Sequence, residues 1–134
     1  MRPQRFADFV VGVVKNSPTA TRVQTLADAG DTRHPFGVVI TTTGEAVWQF
    51  VGQLPEGEKH ETFEDTPVTG PPAAGGADAQ PSDDPEPWLA AALARAACPE
   101  IAAIERWSQR PEPGSQPGLT VTFHNGARVF ARVT

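Results

Sequence analysis

Tyrosine is absent from this sequence, lysine occurs twice and cysteine once. A single thiol, Cys98, leaves no partner for an internal disulfide, which suits a cytosolic setting. Arginine, alanine, glycine and proline are plentiful where lysine and tyrosine are scarce. That balance resembles what the codon bias of a GC-rich genome produces, and the expected origin is an actinobacterium or one of its phages. No apolar run is long enough to span a bilayer. Arg2 and Arg5 precede an apolar stretch, but Asp8 interrupts it and no small-residue cleavage site follows, so no secretory signal is expected. The expected location is the cytoplasm, with no membrane partner.

Catalytic signatures are missing as well. There is no phosphate loop, dinucleotide fingerprint, nucleophile elbow or HExxH motif. Cys98 sits in an Ala-rich stretch with no thiolate-stabilising neighbour, which reads as a structural cysteine. His34, His60, His124 and Cys98 match no metal-ligand spacing. The carboxylates cluster between residues 54 and 87, where solvation accounts for them. No catalytic residue, metal site or cofactor is therefore expected, and the chain is read as non-enzymatic.

What is present is hairpin patterning. Residues 119–133, LTVTFHNGARVFARV, alternate around Asn125-Gly126, a strong hairpin signal. A two-residue turn at Asn125-Gly126 would oppose Phe123 to Arg128 and mix charge into both faces. A type I turn at His124-Asn125, with Gly126 as a left-handed bulge residue, pairs Phe123 with Ala127, Val121 with Val129 and Leu119 with Ala131. One face is then apolar, and Thr120, Thr122, His124, Arg128, Phe130 and Arg132 take the other, so burial selects the bulged register. Residues 36–51 obey the same logic. With Thr42-Thr43 in the turn and Gly44 as bulge, Ile40 pairs with Ala46, Val38 with Trp48 and Phe36 with Phe50. Gly44 and Gly126 are both expected at positive φ, and Phe36 is expected in the core.

The remaining apolar segments look built to cover that sheet. Residues 3–15 carry Phe6, Phe9, Val10, Val13 and Val14 at helical spacing, with Pro3 suited to a first helical position. Residues 20–29 fit either a short helix or an edge strand, with strand preferred. Residues 86–109 read as helix, with Leu89, Leu93, Ala96 and Ala97 as a stripe. A break at Pro99 lets Ile101 and Ile104 aim inward. Trp88 and Trp107 read as core or interface anchors. Beyond the recurrence of hairpins, no internal repeat is evident.

A chain of 134 residues suffices for one domain with a modest core. The expected fold is a two-layer α+β domain, an antiparallel sheet of four or five strands covered on one face by helices. Residues 1–53 and 88–134 form its two halves. Residues 54–87 read as an acidic Pro/Gly-rich insert or linker, disordered in isolation. They hold nine carboxylates and one lysine, so within a total of −5 the rest of the chain is +3.

For function, the sequence suggests a protein-interaction or assembly module, of the kind found among accessory or structural proteins of actinobacterial phages and mobile elements. Its partner would be another protein or a second copy of the chain. The alternative is single-stranded nucleic-acid binding through His124, Arg128, Phe130 and Arg132, which would place cations and an aromatic ring on one side of the last hairpin.

Overall fold

Pro3 opens the first helix, where an N–H would have no intrahelical acceptor, so its missing donor costs nothing. The computed structural model places this helix, α1, at Pro3–Lys15. It describes residues 1–17, 19–30, 36–55, 57–59, 67–73, 84–109 and 116–134. After α1 come strands β1 (Arg22–Thr25), β2 (Gly37–Thr41) and β3 (Glu45–Gln53). Then follow helix α2 (Pro85–Arg95), β4 (Ile101–Arg106), a 3-10 turn at Trp107–Gln109, β5 (Gly118–Phe123) and β6 (Arg128–Val133).

The strands form one antiparallel sheet of six, in the order β1-β2-β3-β6-β5-β4. The α+β class is as expected, while the strand count exceeds the expected four or five. The order reveals a repeat that the sequence conceals. Each half is a helix followed by a three-stranded meander, and the last strands of the two halves, β3 and β6, pair at the centre. Across that seam Phe50 faces Ala131 and Val51 faces Phe130.

Alternation divides the strands cleanly into two faces. Val38, Ile40, Trp48, Phe50, Leu119, Val121, Phe123, Val129 and Ala131 are buried on the inner face beneath both helices. Phe6 of α1 touches both halves: its ring lies 4.8 Å from Phe50 at 66° and 6.1 Å from Phe123 at 77°. These are edge-on arrangements that aromatic pairs favour. Phe9, Val13 and Ile104 pack against the core from its margins. Arg5 of α1 adds a bidentate ion pair to Glu100, with N–O distances of 3.1 and 2.7 Å. Trp88 Nε1 donates to Thr19 Oγ1 at 3.0 Å, tying α2 to the segment after α1.

The C-terminal hairpin takes the bulged register. Phe123 N–H donates to the Ala127 carbonyl, Gly126 N–H donates to the Phe123 carbonyl, and Gly126 has φ 91°. The Asn125 side chain fixes the turn by accepting from Ala127 N–H at 2.9 Å. Val121 pairs with Val129 and Leu119 with Ala131, as the apolar pattern requires.

The first hairpin shares the register but not the turn. Ile40 pairs with Ala46 and Val38 with Trp48, yet Gly44 is not at positive φ. Thr42 N–H donates to the Gly44 carbonyl instead. Two adjacent β-branched residues suit the paired helical conformations of a type I turn poorly. Phe36 also departs from expectation. It lies just before β2 and is 41% exposed, although its carbonyl accepts from Phe50 N–H.

The largest correction concerns residues 86–109. Helix α2 stops at Arg95, Ala97 turns left-handed at φ 50°, and Pro99 follows. Ala96 and Ala97 are therefore exposed rather than part of the helical stripe. The next apolar residues form β4. Ile101 and Ile104 stand three apart, a helical spacing, but a bulge between Ile101 and Ala103 puts both on the inner face of a strand. The preferred strand within residues 20–29 is present as β1.

Candidate binding face of the sheet

Both helices lie on the inner face, so among the described residues no helix covers the outer face of the sheet. Its central rows follow from the strand register. One row runs Val51, Phe130, Thr120 and Glu105 across β3, β6, β5 and β4. The next runs Gln49, Arg132 and Gly118, and on the other side Gln53, Arg128 and Thr122. Val51 is 57% exposed, Phe130 is half-buried, and Arg128 and Arg132 are exposed. The Arg132 guanidinium is oriented by Gln49 Oε1, which accepts from Nε at 3.1 Å and from Nη2 at 2.8 Å.

Of the four residues singled out from sequence, Arg128, Phe130 and Arg132 share this face. His124 does not join them. It occupies the turn, where its backbone N–H donates to the Glu100 carbonyl and its Nε2–H donates to the Pro71 carbonyl at 2.8 Å. The ring lies against Gly70, whose own N–H donates to the Pro99 carbonyl. Residues 67–73 of the acidic segment thus dock on the end of the sheet, and His124 is engaged in holding them. The rest of that segment lies largely outside the described residues, as do His34 and His60.

Sequence patterning read Trp107 as a core or interface anchor and did not place it on this face. Its indole lies over Gly118 on the outer side of β5, and Nε1 donates to Thr120 Oγ1 at 2.9 Å. A β-carbon at residue 118 would collide with the six-membered ring and with the Ala131 carbonyl oxygen, 2.7 Å away. Glycine at the start of a strand marks such a close approach, and it was the available clue. Phe130 stands directly opposite Thr120. Two aromatic rings therefore occupy neighbouring strands of the open face.

The segment carrying Trp107 is held by Glu86, a residue that composition alone assigned to the solvated acidic stretch. Glu86 is 2% exposed. Its Oε1 accepts from Arg106 Nε at 3.1 Å and from the Ser108 hydroxyl, and its Oε2 accepts from Ser108 N–H at 3.3 Å and from Gly118 N–H at 3.1 Å. Both chain neighbours of Trp107 are bound to one carboxylate, as is the glycine beneath its ring. Burial by itself pushes the Glu86 carboxyl upward. The bonds from Ser108, Gly118 and Arg106 outweigh it and hold the group below the usual carboxylate range.

Among the described residues, no three His, Cys, Asp or Glu side chains come together as a metal site. Cys98 is partly buried against the core. No described helix is long and apolar enough to cross a membrane. Compared with protein-family models, curated proteins and solved structures, this chain matches none.

Proposed function

We propose that this chain is a non-enzymatic interaction module whose working surface is the open face of the sheet. The observation that carries the reading is the layering. Two helices cover one face, while the other presents Val51, Phe130 and Trp107 together, beside Arg128 and Arg132. Grouped apolar side chains on an exposed surface, rimmed by polar ones, are the mark of an interaction site. The face suits a partner that brings flat apolar groups and negative charge. An assembly role in a phage or mobile element would use the same surface.

Peptides selected against the full chain from a displayed random library test the reading. They are expected to lose binding to a Val51→Thr, Phe130→Thr double variant that keeps the wild-type circular dichroism spectrum and thermal midpoint. Threonine retains strand propensity at both positions, so the sheet should persist. Selected peptides that bind both proteins equally would move the working surface elsewhere.

A further inference from the structure

We infer that the partner of the open face is single-stranded nucleic acid, stacked on Trp107 and Phe130 and held by Arg128 and Arg132. The inference rests on the reading of that face as the working surface and names its ligand. Both rings are placed by the sheet itself. The indole spans Gly118 to Thr120 on β5, and Phe130 faces Thr120 from β6. Neighbouring strands lie about 4.8 Å apart, so the two rings are within reach of adjacent bases on a splayed strand. Aromatic rings presented by a sheet are a general way of accepting unpaired bases.

Charge complements the rings. Arg128 and Arg132 each stand two residues from Phe130 on the same face of β6. Roughly 13 Å of extended strand separates them, with the ring between. Two of the five N–H donors of Arg132 engage Gln49, which aims the guanidinium and leaves the others for a phosphate oxygen. Glu105, across Thr120 on the edge strand, bounds the platform on that side. The ligand path therefore runs over β6 toward Val51 and Gln53 on β3. Trp107 is also set before any ligand arrives, because Glu86 holds Arg106 and Ser108 and Thr120 holds the indole N–H. A preset ring loses little freedom on binding. A duplex keeps its base faces stacked on one another, so the two rings could stack on them only by prying a base step apart.

The test uses the full chain with oligothymidine and oligouridine of equal length at low salt. Both should bind, because stacking and phosphate contacts do not read the sugar. Binding should quench indole emission. Trp48 and Trp88 are buried, so the quenching should vanish in Trp107→Phe while affinity changes only a few-fold. Phe130→Thr should weaken binding about tenfold. Two phosphate contacts predict a slope of about −1.4 for log affinity against log salt, and Arg128→Ala with Arg132→Ala should flatten it. A duplex of the same length should bind weakly without quenching. Absence of oligonucleotide binding, or binding that ignores both Phe130→Thr and the arginine variant, overturns the inference. An acidic, phenylalanine-containing peptide separates the two levels. If it binds and Phe130→Thr abolishes that binding while oligonucleotides fail, the face is a working surface with a protein partner. If peptide and oligonucleotides both fail, the inference and the reading beneath it fall together.

Discussion

Gly118 donates its backbone N–H to the Glu86 carboxylate at 3.1 Å, joining the first turn of α2 to the first residue of a strand 32 positions later. Three further donors converge on the same carboxylate, from Arg106 and from the backbone and hydroxyl of Ser108. Removing the acceptor would take the buried Gly118 N–H from its partner and release the partly exposed Arg106 and Ser108 donors from α2. Glu86→Ala is therefore expected to destabilise the fold by about 2–4 kcal/mol. The shift of the urea midpoint, at unchanged slope, measures it.

The same carboxylate makes stability depend on pH in a defined direction. Its folded-state pKa is lowered, while the unfolded value is about 4.3. The ionised form is thus favoured by folding, and its contribution is complete above the unfolded value. It is lost as pH falls through the lower folded value. The difference in unfolding free energy between wild type and Glu86→Gln should be flat from neutral pH down to about 5 and shrink below about 4. Urea titrations of both proteins across that range provide the check, and a difference that grows on acidification would contradict it.

The two hairpin glycines should respond oppositely to alanine. Gly126 has φ 91°, so Gly126→Ala is expected to cost about 1 kcal/mol or more through left-handed strain. Gly44 is not at positive φ, and a β-carbon there would meet nothing within 4 Å. Gly44→Ala should be neutral or stabilise by a few tenths of a kcal/mol, because it restricts the unfolded chain. Thermal midpoints of the two variants measured side by side decide the matter.

Trp48 is 1% exposed and pairs across the sheet with Val38 on one side and Val133 on the other. Trp48→Ala is expected to cost about 3–5 kcal/mol. That is a large share of the 5–15 kcal/mol typical of folded domains, so the variant should melt well below the wild type or fail to fold. Calorimetry on the purified protein gives the outcome.

The hairpins were legible because alternation and burial agree on one register, and at residues 119–133 the Asn-Gly turn chemistry agrees as well. β4 was not, because a bulge gives Ile101 and Ile104 the spacing of a helix while both face one side of a strand. Glu86 was hidden for a different reason. Its acceptor role depends on residues 20, 22 and 32 positions away, and its local surroundings are acidic and proline-rich. Phe130 and the arginines could be read from strand periodicity. Trp107 could not, since it reaches the face from a turn beyond the strand and rests on a glycine. The repeated helix-plus-meander plan left no mark in the residues because only polarity, not identity, is needed to build each half.

The position of β3 has a consequence for the order in which this chain is synthesised. In the finished sheet β3 is central, flanked by β2 and β6. Its second neighbour begins at Arg128, well after β3 ends at Gln53. At ribosomal rates of about 5–20 residues per second, the nascent first half waits roughly 4–15 s with Phe50 and Val51 on an unpaired strand edge. Such an edge invites pairing with a neighbouring chain. The residues translated next are the most acidic in the protein. Like charge on two such segments opposes that pairing once the chains approach within a Debye length, about 8 Å.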